Sequence, residues 1–139
     1  MIARVLVAMD GSEMAEHALE FALENYPDAE IAVLTVVGVP TWFMGEAAGL
    51  VLADDPSKAA ESRAETVLQR AHELAAEYDA EINTIVALGT PSREILTHAK
   101  AYDMVIVGGH GRDLGSRLLL GNVAALVTRR SPVPVTVVR

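Results

Sequence analysis

Met104-Val105-Ile106-Val107-Gly108-Gly109-His110-Gly111, with Gly121-Asn122 following after nine intervening residues, is the stretch from which the fold is read. Its four leading apolar residues compose a buried strand, and the run stops where the glycines begin, so a main-chain loop emerges at a strand's C-terminal end. Open parallel sheets bind ligands there. Gly108 and Gly111 are expected to take positive φ and to let main-chain N–H groups approach an anion. Asn122 reads as the N-cap of a helix from Val123 to Arg130, whose N-terminus adds positive potential. Together these features describe a phosphate cradle.

Outward from that stretch, strand-like and helix-like patterns alternate along the whole chain, the signature of a parallel sheet covered on both faces. Strands are expected at Arg4 to Met9, Glu30 to Val37, Glu81 to Ala87, Asp103 to Val107 and Val133 to Val138. A helix beginning at Ser12 carries Ala15, Ala18, Leu19 and Ala22 on one face, and a longer one, about Pro56 to Tyr78, carries Ala64, Val67, Leu68, Ala71, Leu74, Ala75 and Tyr78. Gly89-Thr90-Pro91 turns the chain into a third helix, with Thr90 as N-cap and Pro91 at its first position. The result is a single α/β domain over residues 1–139: an open five-stranded parallel sheet of order 3-2-1-4-5 with helices on both faces. The valine-rich last strand stands at an edge and seeks a partner.

Composition narrows the function classes. A net charge of −8 sets the chain against the phosphate backbone of nucleic acids, so no nucleic-acid partner is expected. With no cysteine, disulfides and thiolate metal sites are excluded. No apolar stretch reaches membrane-spanning length, and Met1-Ile2-Ala3-Arg4 leads straight into a strand, so a cytoplasmic protein without a membrane partner is expected.

In the predicted order, the chain switches direction between the first and fourth strands, and their C-terminal ends flank a crevice. Asp10-Gly11-Ser12 then faces the glycine loop. A carboxylate opposite a phosphate cradle suits a nucleotide, with Asp10 accepting hydrogen bonds from a base or ribose or helping to hold Mg²⁺, and with Val36-Val37 as an apolar wall offering main-chain polar groups to a base. A Walker loop is excluded because no glycine precedes a lysine, and a dinucleotide fingerprint because Leu114 stands where a small residue is required. Plainer readings stand beside these: the glycines as a tight strand-to-helix connection, Asp10 as a helix-start residue, and Arg112 and Arg117 as solvated charges. His17, His72 and His98 read as surface residues without metal-ligand spacing, and Gly38 to Asp55, with Trp42, Phe43 and Met44, as either a surface loop or a lid or dimer contact.

The spacing Gly108-x2-Gly111-x9-Gly121-Asn122 resembles the ATP-binding signature of the universal stress protein family, G-x2-G-x9-G-S/T. So do the opening Val5-Leu6-Val7-Ala8-Met9-Asp10-Gly11-Ser12, the Gly89-Thr90-Pro91 turn, the Leu118-Leu119-Leu120-Gly121 run and the ending Ser131-Pro132-Val133-Pro134-Val135. The resemblance implies an adenine nucleotide alpha hydrolase-like fold and a homodimer built through the last strand. It further implies ATP, with Mg²⁺, held with adenine near Asp10 and Val36 and with phosphates and ribose on Gly108, His110, Gly111, Gly121, Asn122 and Val123. The implied activity is that of a dimeric regulatory switch in stress response rather than an enzyme, any ATP hydrolysis being incidental. Asn122 departs from the signature's hydroxyl residue: it caps a helix as well as serine does and its amide can donate to a phosphate, but it is bulkier and its oxygen repels an anion. That departure keeps open a dimeric interaction protein of the same fold that binds no nucleotide.

Overall fold

The computed structural model describes residues 1–37, 56–109 and 122–139. In chain order the elements are β1 (Arg4–Ala8), α1 (Glu13–Asn25), β2 (Glu30–Val37), α2 (Pro56–Glu77), β3 (Ile82–Leu88), α3 (Pro91–Ala99), β4 (Met104–Gly108), α4 (Asn122–Arg130) and β5 (Val135–Val138). They form one sheet of order β3-β2-β1-β4-β5 in which every neighbouring pair is parallel, as predicted. Strand alternation divides the apolar residues between two cores. Val5, Val7, Ile31, Val33 and Ile106 pack under α1 and α2, whereas Leu6, Ala32, Leu34, Val105 and Val107 pack under α3 and α4. Burial on both faces is why β1 and β4 are continuous apolar runs, each enclosed Val, Leu or Ile stabilising the fold by roughly 1.5–3 kcal/mol.

Several boundaries differ from the predicted ones for local reasons. β1 ends at Ala8 because Asp10 begins a turn: its Oδ1 accepts from Ser12 N at 2.9 Å, and Gly11 has φ +87°. Ser12 is the N-cap of α1 rather than its first residue, its Oγ accepting from Ala15 N at 3.2 Å. Thr90 holds the cap position of α3 but makes no side-chain cap bond. Asn122 is the first residue of α4 rather than its cap. β5 begins at Val135 because Ser131 Oγ folds back on Val133, accepting from its N–H at 3.1 Å and donating to its carbonyl at 2.7 Å, and Pro134 has no N–H. β3 and β4 each sit one residue later than expected, and α2 stops one residue earlier, at Glu77, ahead of Asp79 in the left-handed region at φ 53°. His98 is half-buried, with Nδ1 2.9 Å from the Glu94 carbonyl, whereas His17 and His72 are exposed, as expected of surface residues. The 38–55 segment with Trp42, Phe43 and Met44, and the arginines Arg112 and Arg117, lie outside the described residues.

At the end of the sheet opposite the predicted crevice, one carboxylate joins β1 to β4. Asp103 Oδ2 accepts from the main-chain N–H of both Ala3 and Arg4 at 2.9 Å. Arg4 in turn reaches the Ala101 carbonyl at 2.7 Å, lies 4.8 Å from the Tyr102 ring centre and pairs with Glu30 at 3.2 Å. The exposed Arg4–Glu30 pair contributes little by itself. The N–H bond from Ala3, then that from Arg4, holds the Asp103 carboxyl below the usual carboxylate range. A carboxyl whose pKa is lower folded than unfolded stabilises the fold fully above its unfolded pKa, and that stabilisation is lost as pH falls through the folded value. Asp103→Asn is therefore expected to lower the urea midpoint at neutral pH and to flatten its decline on acidification; equal midpoints at neutral pH would show that the charge contributes nothing.

Candidate functional site

A cavity of about 160 Å³ opens at the C-terminal ends of β1, β2 and β4, where the strand order reverses. Its walls come from both halves of the sheet: Ala8 and Met9 from the end of β1, Leu34 and Val36 from β2, and Val107 and Gly108 from β4. Three helices begin beside it, α1 through Ser12 and Ala15, α3 through Pro91 and Ile95, and α4 through Val123 and Ala124. Asp10 is the one carboxylate among these described lining residues. Apolar walls with few polar groups are what a flat heteroaromatic ring requires.

The main chain of Val36 supplies directed polar groups. Along β2 the direction alternates: the Leu34 carbonyl accepts from Met9 N at 2.9 Å toward β1, and the Val37 carbonyl accepts from Gly89 N at 3.0 Å toward β3. Val36 therefore turns its N–H and carbonyl toward β1, one step past the last ladder pair, Ala8 with Leu34. The helix N-termini at the cavity differ in charge. The first turn of α1 carries Glu13 and Glu16 and that of α3 carries Glu94, whereas α4 has no acidic residue in its first turn. Among the described residues, α4 is the one of these three helices with no first-turn carboxylate to offset the positive potential of its N-terminus.

The structure gathers Asp10, Val36, Gly108 and Val123 around one cavity, as the sequence reading grouped them. Asn122 is exposed and immediately precedes Val123 at the start of α4. His110, Gly111 and Gly121 lie outside the described residues. One reason given for a site residue is corrected. Gly108 is not a positive-φ glycine; among the described glycines that conformation belongs to Gly11 and Gly89. Gly108 is the last residue of β4, and a Cβ there would stand 2.7 Å from the Met14 carbonyl carbon and oxygen and 3.0 Å from Ala15 N. Its smallness lets the α1 backbone lie against β4. Pro91 and Ile95 were not anticipated as lining residues; their i, i+4 spacing on α3 was the available signal.

A model of the universal stress protein family matches residues 1–139. The chain belongs to that family. Universal stress protein YxiE of Bacillus subtilis is 32% identical over 148 residues, covering 100% of each chain. Among solved structures, a universal stress protein in complex with cAMP superposes with a TM-score of 0.72 at 27% identity, covering 99% of this chain and 97% of that one. A universal stress protein family member from Arabidopsis thaliana with AMP bound superposes with a TM-score of 0.70 at 18% identity, covering 98% and 90%, a likeness of fold. No helix among the described residues is long and apolar enough to cross a membrane.

Within this family member the contact of Gly108 with α1 makes a sharp expectation. Gly108→Ala forces the α1 backbone away from β4 and should cost about 1–3 kcal/mol in urea unfolding. Gly109→Ala is its control, because a Cβ at Gly109 would meet its neighbours at an ordinary 3.4–3.5 Å. Equal stabilities for the two variants would show that α1 is free to move.

Proposed function

We propose that this universal stress protein binds an adenine nucleotide, ATP with Mg²⁺, in the crevice between the β1 and β4 loops and acts as a dimeric regulatory switch in the cytoplasm. The observation that carries the reading is the orientation of Val36, whose main-chain N–H and carbonyl face an apolar cavity one step beyond the β1 ladder. An adenine edge carries the matching donor and acceptor. The solved relative in complex with cAMP supports an adenine nucleotide as occupant. Adenine then lies toward Val36 and Asp10, and the phosphates toward Gly108, His110, Gly111, Gly121, Asn122 and Val123, at the helix N-terminus free of acidic residues. Among the described residues no three His, Cys, Asp or Glu side chains gather as a metal cage. Mg²⁺ therefore enters on the phosphates, with Asp10 the available carboxylate. A regulatory role is supported by how the polar groups are used: Ser12 Oγ is taken by the cap of α1, and Asp10 Oδ1 accepts from a main-chain N–H. Neither is arranged as a nucleophile with its base.

Calorimetry with ATP, AMP and cAMP in the presence of Mg²⁺ tests the reading; no heat of binding at millimolar nucleotide overturns it. The second reading, an interaction protein of the same fold that holds no nucleotide, is favoured by one residue, Asn122, in the place of the signature's hydroxyl. Asn122→Ser restores that hydroxyl and should raise ATP affinity about tenfold, the worth of one charge-assisted hydrogen bond. An unchanged or weaker affinity shows that Asn122 does not obstruct the anion.

The dimer is proposed to form through β5. Even-numbered residues of this strand bond to β4, since Val105 N donates to the Pro134 carbonyl at 3.0 Å and Gly109 N to the Val138 carbonyl at 2.7 Å. Val135 and Val137 consequently point their main-chain groups outward from the sheet edge. Val137→Pro removes an outward N–H without touching the β4 ladder. Sedimentation should show a folded monomer; a folded dimer of undiminished stability would move the interface elsewhere.

A further inference from the structure

β1 and β2 separate at the crevice, and one side chain takes the carbonyl left there. Ala8 faces Leu34 in the ladder, and Met9 N–H donates to the Leu34 carbonyl at 2.9 Å. The next rung of a parallel pair would run from Val36 N–H to the Met9 carbonyl. Among the described residues that rung is not formed, and the Met9 carbonyl accepts instead from Thr35 Oγ1 at 2.7 Å. Met9 and Thr35 are each 3% exposed, so solvent does not serve this carbonyl. A buried carbonyl left without a donor is costly, and the strands would close on each other to satisfy it. Thr35 shares its face of β2 with Ile31 and Val33, beneath α1 and α2, while the cavity lies on the other face with Leu34 and Val36. The hydroxyl acts from behind the site.

We propose that Thr35 is a positioning residue that keeps the Val36 main chain available to the hydrogen-bonding edge of a nucleobase, by taking the carbonyl that would otherwise claim the Val36 N–H. The occupant rests on the nucleotide reading above; the open rung is a property of the ligand-free chain. A hydrogen-bonding edge of adenine then pairs with Val36 N–H and carbonyl where β1 would have continued, so the base takes the place of the missing strand. The polar contact is main-chain on the protein side, and its geometry is set by a side chain that never touches the ligand.

Amide hydrogen exchange and calorimetry, read together on wild type, Thr35→Val and Thr35→Ser, test this. In ligand-free wild type the Val36 amide should exchange at least about tenfold faster than those of Val33 and Leu34, which lie within the ladder. Thr35→Val keeps the shape and removes the donor, so Val36 N–H moves onto the Met9 carbonyl: its exchange slows about tenfold, and ATP affinity falls about tenfold. Thr35→Ser keeps the hydroxyl and should match wild type in both. A Val36 amide in wild type as protected as its neighbours overturns the proposal, and that measurement stands even if Thr35→Val does not fold. So does a Thr35→Val protein that binds ATP as wild type does, or one whose Val36 exchange is unchanged. Absence of ATP binding to wild type overturns the nucleotide reading alone, and the exchange rates still decide the role of Thr35.

Discussion

The approach of α1 to the end of β4 is the contact on which the rest of the molecule's function side is built. Gly108 has no side chain at a point where a Cβ would lie 2.7 Å from the Met14 carbonyl, so the helix packs backbone against backbone on the strand. That closeness brings the Ser12 cap of α1 to the C-terminal end of β4, although Ser12 follows β1 in the chain. A crevice at a strand-order reversal is a feature of any open α/β sheet. Its narrowness here is set by this glycine. With a larger residue the start of α1 would be pushed away from the end of β4, and the walls that Ala15 and Gly108 give the cavity would separate.

The chemistry offered inside is mostly main-chain and apolar, which resolves an apparent conflict with charge. A chain of net charge −8 repels phosphates at long range. Within the crevice, the field that matters is local: two helix N-termini carry acidic first turns and one, α4, does not. In the proposed nucleotide complex that asymmetry sets the polarity, with phosphates toward α4 and the base toward the apolar side bounded by Leu34, Val36 and Ile95.

Much of this was legible in the sequence, and the failures have identifiable causes. Sheet order and facing were readable because β1 and β4 are buried on both sides and leave no polar face in the pattern, whereas edge strand β3 leaves Asn83, Thr84, Val86 and Leu88 exposed. Asp10, Val36, Gly108 and Val123 could be placed near one another because each stands close to a strand or helix terminus, and termini are set by local signals. The role of Gly108 was misread because glycine has two uses, left-handed backbone and close packing, and only the position of α1 distinguishes them. Thr35 was invisible for a related reason. Within Leu34-Thr35-Val36 it reads as an ordinary β-branched strand residue, and its hydroxyl gains meaning only from the divergence of a strand more than twenty residues away in sequence.

The end of β4 links site and edge in the proposed switch. β4 ends by leaving the sheet at Gly108, and the next residue, Gly109, still donates its N–H to the Val138 carbonyl of β5 at 2.7 Å. In the proposed switch, a ligand held against Gly108 therefore stands one hydrogen bond from the last residue of the strand proposed to join two copies, without passing through the core. The core is already closely packed on both faces and has little room to move. β5 is different: it has four residues, each only half-buried, and one of its edges is held solely by β4. Coupling between nucleotide and dimer thus has a short physical route, and the glycine pair at its centre contributes one residue to helix packing and the other to the edge.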